Sequence, residues 1–213
     1  MADLNPTAEW DLLGDVYYRR RVLFTMEWGE NDIDLARFIV AGAPFDGPIA
    51  LVRDDKKIVR VKSGTLKPLI YIFTASGRII LTIKWDGGSV VQLGWSHTEE
   101  LIIVVERGTV LYYNIHGQFI KSQSLGEEVK ASKILDAKIF CTRGETAVAV
   151  LTTAYRFFIF QDRLKRMADV PGIDFPPSSR TIISDEQGIK ILVALGNDLL
   201  FVDGGQTKHR VNI

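Results

Sequence analysis

The chain is poor in the residues that build reactive sites: one cysteine, Cys141, and three histidines in 213 residues. A single thiol excludes an intramolecular disulfide and fits a reducing compartment. His97, His116 and His209 lie far apart at no metal-ligand spacing, whereas zinc and similar ions need three or four converging ligands. Charge of one sign is also missing, because 26 basic residues balance 26 acidic ones. With no basic excess and no basic stripe, nucleic acid is not expected as a partner. The longest apolar runs, such as Leu101 to Val105 and Ala147 to Leu151, are five residues, and a spanning helix needs roughly 20. Asp3, Pro6, Glu9 and Asp11 stand where a signal peptide would carry basic and then apolar residues. A soluble chain is expected, with any membrane role peripheral or through partners.

Catalytic motifs are missing as well. Gly87-Gly88 and Gly204-Gly205 lack the strand-loop-helix setting and the Lys-Ser/Thr of a phosphate-binding loop, and they read as hairpin turns. There is no Gly-x-Ser-x-Gly elbow. Ser184-Asp-Glu-Gln-Gly188 only mimics the start of a sialidase-type turn, and nothing pairs two carboxylates across a cavity. Asn5-Pro6-Thr7 is no glycosylation acceptor, because proline occupies its middle position. No catalytic, cofactor-binding or metal-binding residue is assigned, no cofactor is expected, and no partner-contacting residue can be named.

Short strands are abundant. Ile70 to Gly77, Val110 to Gly117, Arg156 to Asp162 and Asp198 to Gly204 repeat one strand-turn unit at intervals of 40, 46 and 42 residues. Periods near 40 to 50 residues, each holding several short strands, mark β-propeller blades. Ser89–Trp95, Glu100–Glu106, Thr109–Ile115 and Gln118–Ser124 read as one four-stranded meander, rich in β-branched and aromatic residues and bounded by turn formers. Ile134–Cys141, Glu145–Thr152, Ala154–Gln161 and Arg163–Ala168 repeat the plan. A proline-rich stretch from Val170 to Ser179 lies outside the sheets, since proline cannot donate to a ladder. Arg180–Ser184, Ile189–Leu195, Asp198–Asp203 and Lys208–Ile213 follow.

Upstream the pattern is looser. Arg37–Gly42, Pro48–Arg53, Lys67–Thr74 and Arg78–Trp85 form a unit with a polar insertion from Asp54 to about Gly64. Tyr17–Trp28 reads as a further strand and Gly29–Leu35 as a polar turn or short helix. No stretch over twelve residues shows a 3.6-residue period. The expected fold is all-β: a partial, open propeller of about four four-stranded antiparallel blades. Their approximate limits are 17–87, 88–126, 127–171 and 172–213, within one domain of 1–213.

Several residues admit two readings. Cys141, in an apolar strand, is expected as a buried inert thiol. Arg19-Arg20-Arg21 is the one basic cluster; strand geometry splits it between two faces, which favours a charged blade edge over an anion site. Tyr112, Tyr113, Tyr155, Phe157, Phe158 and Phe160 are expected in third strands, as packing between blades and not as a peptide groove.

An ordered series of short motifs carries a resemblance. It runs through Tyr17-Tyr-Arg19, Met26-Glu-Trp28, Ala41 to Leu51, Ile72 to Gly77 and Val90 to Ser96. Tyr113 to Gly117, Asp136 to Phe140, Leu151 to Arg156, Met167 and Val170 to Gly172 continue it. Over about residues 10 to 202 the chain resembles the N-terminal propeller of the vacuolar protein sorting-associated protein 16 family. The resemblance implies a non-catalytic scaffold subunit of the HOPS and CORVET complexes, which tether endosomes, lysosomes or vacuoles before fusion and serve autophagosome fusion. It implies protein partners, the other tethering subunits, and a location peripheral to late endosomal, lysosomal or vacuolar membranes. Family members continue into an α-solenoid that docks a Sec1/Munc18-like subunit, so that partner is expected only through a C-terminal region this chain lacks. The alternative is a β-propeller adaptor outside trafficking; absence of Trp-Asp at third-strand ends speaks against standard WD repeats.

Overall fold

The computed structural model describes residues 10–19, 33–44, 46–57, 68–142, 144–161, 164–168, 177–185, 188–203 and 206–212. A hairpin comes first, β1 (Asp11–Leu13) and β2 (Val16–Tyr18), followed by a 3-10 turn at Leu35–Arg37. Blade 1 comprises β3 (Phe38–Gly42), β4 (Ile49–Arg53), β5 (Leu69–Phe73) and β6 (Ile79–Lys84). Blade 2 comprises β7 (Val90–Trp95), β8 (Leu101–Val105), β9 (Thr109–Tyr113) and β10 (Phe119–Ser124). A short helix, α1 (Glu127–Ser132), precedes blade 3, which holds β11 (Ile134–Thr142), β12 (Glu145–Thr152), β13 (Phe157–Gln161) and β14 (Leu164–Ala168). Blade 4 holds β15 (Ser179–Asp185), β16 (Gly188–Leu195), β17 (Asp198–Asp203) and β18 (Gln206–Asn212). Each blade is an antiparallel meander in chain order. The repeat seen in the sequence is the third strand of each blade, β5, β9, β13 and β17.

Blades hide their apolar faces against one another, so the core is divided into layers. Ala50, Val52, Ile70 and Ile72 of blade 1 meet Leu93, Leu101, Ile103 and Val105 of blade 2. On the other face of blade 2, Ile102, Val104 and Val110 meet Val148, Val150, Phe158 and Phe160 of blade 3. The third layer joins Ala149, Leu151, Phe157 and Ile159 to Ile191, Val193, Leu195, Leu200 and Val202. Alternation along a strand thus sends successive side chains to different neighbours. First strands are innermost: β7 packs against β3 and β11, and β11 against β15. The four sheets form an open arc.

Among the described residues four hairpins share one construction. Residue i, Thr74, Ser96, Asn114 or Thr152, accepts a bond from the backbone N–H of residue i+4 through its side-chain oxygen. Its own N–H donates to the carbonyl of i+4, and the N–H of i+3 donates to the carbonyl of i. Position i+3 has positive φ: Gly77 at 87°, Glu99 at 59°, Gly117 at 72° and Tyr155 at 57°. This is the three-residue loop that ends in a left-handed residue. It also accounts for the buried Ser96 and Thr152 hydroxyls, whose bonds are made within the turn.

Some sequence expectations are corrected. Gly87-Gly88 is not a hairpin but the link from β6 to β7. The Trp85 indole N–H donates to the Gly88 carbonyl at 2.6 Å, and a Cβ on Gly87 would meet that ring at 2.5 Å. Tyr155 lies in a turn and not in a third strand, because the β12–β13 loop needs residues 153–155. Helix α1, which the sequence reading did not assign, is too short to show a period, yet its own Val129 and the preceding Leu125 bury fully. Of the Tyr17–Trp28 strand, Tyr17 and Tyr18 belong to β2; residues 20–30 lie outside the described residues, as does Gly204-Gly205.

Candidate interaction surface

Among the described residues no three of His, Cys, Asp and Glu could hold a metal ion. His97 sits in the β7–β8 turn, its Nδ1 3.3 Å from the Thr146 hydroxyl; His116 is at the tip of the β9–β10 turn. His209 lies exposed on β18 beside the Phe201 ring. Cys141 is exposed, correcting the expectation of a buried thiol. It sits near the end of β11, next to the hairpin, where the strand runs past the packed layer, and its Sγ is 4.0 Å from the Thr146 hydroxyl. Arg19 is exposed after β2, while Arg20 and Arg21 fall outside the described residues. Phe157, Phe158 and Phe160 are buried between blades, and Tyr112 and Tyr113 are half-buried.

What the structure builds carefully is the junctions between blades. The Trp95 indole donates to the Ala41 carbonyl at 3.0 Å, tying β7 to β3 in a buried setting. Gly94 lets β11 approach β7: a Cβ there would lie 2.6 Å from Ile139 Cδ1 and 2.8 Å from its Cβ. Arg180 on β15 pairs with Asp136 on β11, its Nε donating at 2.9 Å to the carboxylate. The pair is partly sheltered, with the side chains 21% and 31% exposed. Beside it lies a cavity of about 10 Å³, room for about one water and too small for a ligand. Between blades 2 and 3, Arg156 of the β12–β13 turn bonds Glu128 of α1 at 2.6 Å. Lys56, from the β4–β5 connection, donates to the Leu135 carbonyl at 3.0 Å, reaching from blade 1 to blade 3.

The sequence reading missed these junction residues. Gly94 had a signal, since a glycine inside a strand marks close backbone approach. Asp136 and Arg180 had none, because nothing local links residues 44 apart.

Large apolar side chains are exposed in several places, among them the β1–β2 hairpin and blade 4. Trp10, Leu12, Leu13, Val16, Tyr17 and Tyr18 are all 46% exposed or more. On blade 4, Ile183 and Val211 are exposed on the face turned away from blade 3. No described helix is long and apolar enough to cross a membrane. Exposed apolar groups gathered in this way mark contact surfaces.

A family model described as Vps16, N-terminal region, matches residues 6–212. The chain belongs to the Vps16 N-terminal region family. It is 35% identical over 204 residues to the vacuolar protein sorting-associated protein 16 homolog of Drosophila melanogaster, covering 94% of this chain and 24% of that protein. The Dictyostelium discoideum homolog is 31% identical, covering 96% and 25%. Protein VACUOLELESS1 of Arabidopsis thaliana is 32% identical, covering 95% and 25%. The chain therefore spans about a quarter of the length of these Vps16 relatives.

Solved structures agree on the fold. BBS1N in complex with ARL6DN superposes with a TM-score of 0.56 at 12% identity, over 83% of this chain and 53% of that one. The WD40 domain of SCAP from fission yeast gives 0.55 at 12%, over 84% and 45%. At such identity the Vps16-family chain shares a propeller architecture with them and nothing more specific.

Proposed function

We propose that the chain acts as a non-catalytic scaffold in vacuolar protein sorting, as the N-terminal propeller part of a HOPS/CORVET membrane-tethering subunit. The match to the Vps16 N-terminal region over residues 6–212 carries this reading. The physical character of the molecule supports it. Its strands are spent on packing blade to blade, and large apolar side chains stay exposed on the β1–β2 hairpin and on blade 4. In this reading residues 1–213 form one module, with blades near 17–87, 88–126, 127–171 and 172–213. Its partners are other tethering subunits, and it sits on late endosomal, lysosomal or vacuolar membranes through them.

Affinity capture of the tagged chain from a cytosolic lysate, read by mass spectrometry, tests the proposal. Recovery of other tethering subunits is the expected result. Reproducible recovery of unrelated proteins without any of them would overturn it and favour an adaptor outside trafficking.

A further inference from the structure

The hairpin β1–β2 departs from the plan of the rest of the chain. Every blade has four strands, whereas among the described residues this sheet has two, with Asp11, Leu12 and Leu13 opposite Tyr18, Tyr17 and Val16. All six of these residues are exposed, and none belongs to the apolar layers between blades. An isolated two-stranded hairpin is marginal in water, and stability needs more strands or a covering layer.

Its turn is well specified. Gly14 has φ of +62° and Asp15 does not share the positive φ, the pattern of a two-residue II′ turn with glycine first. A two-residue turn is closed by a hydrogen-bonded pair, here Leu13 and Val16. Along an antiparallel ladder such pairs alternate with non-bonded ones, so Leu12 and Tyr17 form a non-bonded pair. The Tyr17 N–H and C=O therefore point to the outer edge of β2. Among the described residues no strand pairs with that edge. Natural edges are guarded by proline, lysine, bulges or inward charges, and Val16-Tyr17-Tyr18 has none of them.

The edge is also self-complementary. If β2 pairs antiparallel with β2 of a second copy, centred on Tyr17, the two Tyr17 residues exchange both backbone bonds across a two-fold axis. That register sets Val16 opposite Tyr18 twice, a β-branched residue against an aromatic one, a favourable cross-strand pair. It also brings Asp15, at the turn, opposite Arg19, just past the strand, on both sides. A two-fold interface requires such reciprocity. We infer that β2 is a homodimerisation edge: two copies join their hairpins into a four-stranded sheet β1-β2-β2-β1, matching the strand count of a blade.

Sedimentation velocity of the 213-residue chain over a concentration series tests this. The wild type is expected to show a concentration-dependent monomer–dimer equilibrium. Tyr17→Pro removes the outward N–H while leaving the hairpin's own bonds intact, and should weaken dimerisation by about tenfold or more. Far-UV circular dichroism should be unchanged, since the blades are not touched. Asp15→Arg alone sets two cations opposite each other and should also weaken the dimer. Combining it with Arg19→Asp should restore the dimer. A wild-type chain that stays monomeric at the highest concentration overturns the inference. So does a dimer that Tyr17→Pro or Asp15→Arg leaves unchanged, which would place the contact on the open face of blade 4 or elsewhere.

Discussion

Blades 2 and 4 follow one plan with comparable residues, yet they bury them differently. The second strand of blade 2, β8, reads Leu-Ile-Ile-Val-Val, and all five side chains are at most 2% exposed. In blade 4 the second strand β16 is equally apolar from Ile191 to Leu195. Ile191, Val193 and Leu195 are buried there, while Leu192 and Ala194 are half-exposed. Propensity and pattern are alike in the two strands. Neighbours differ: blade 2 packs between blades 1 and 3, whereas blade 4 meets only blade 3 in the described apolar layers. Burial in this fold is a property of the junction and not of the strand.

Mutations can break that comparison or sharpen it. The largest effect is expected at Phe158, fully buried between blades 2 and 3, where alanine should cost about 3–5 kcal/mol. Leu192→Ala on the open side of blade 4 should cost about 1 kcal/mol or less, the lost transfer energy of a side chain already partly hydrated. Urea unfolding of both variants reads the difference, and equal losses would erase the distinction between blades. Next comes Gly94→Val at the β7–β11 approach, expected to cost about 1–3 kcal/mol through overpacking. Ile139→Ala should return part of that loss, a coupling that a double-mutant cycle detects.

Removing Asp136 probes the outer junction. Asp136→Ala strands a partly sheltered guanidinium, and because both groups keep some solvent the cost should be about 1 kcal/mol, below that at Phe158. A smaller, pH-dependent effect belongs to the edge of blade 4. Hydrogen bonding from Arg210 holds the Asp198 carboxyl below its usual 3.8, with the guanidinium charge and Asn212 adding to the shift. The folded state then binds this proton less readily than the unfolded one. The pair's contribution is present above 3.8 and fades as pH falls through the depressed folded value. In an acid titration of thermal midpoints, Asp198→Asn should flatten that limb slightly and leave neutral pH nearly unchanged. One change is expected to be a gain: Tyr155 holds φ of 57°, so Tyr155→Gly should stabilise the β12–β13 turn by about 0.5–1 kcal/mol. The same loop at Gly117, changed to alanine, should lose stability, because its Cβ would also press on Leu81 at 3.0 Å.

The sequence carried most of the strand order because each blade is local. Strands of five to nine residues between turn formers, as from Val90 to Ser124, can be read without knowing their neighbours. Gly77 and Gly117 announce their left-handed turn positions, but Glu99 and Tyr155 hold the same geometry with side chains that carry no such sign. Helix α1 was invisible because six residues make less than two turns. Surface was harder still. Cys141 sits in an apolar strand and is exposed, since alternation gives the face and not whether another blade covers it. The Asp136–Arg180 tie and the approach of Ile139 to Gly94 join different blades, and no local pattern encodes them.

Native-state hydrogen exchange, resolved by peptide mass spectrometry, addresses the central claim most directly. If blades are stabilised by the neighbours on their two faces, β8, β9, β12 and β13 will be protected about tenfold or more beyond β16 and β17, and β1–β2 will exchange fastest in dilute monomer. Uniform protection across all four blades, or greatest protection in blade 4, would contradict the account.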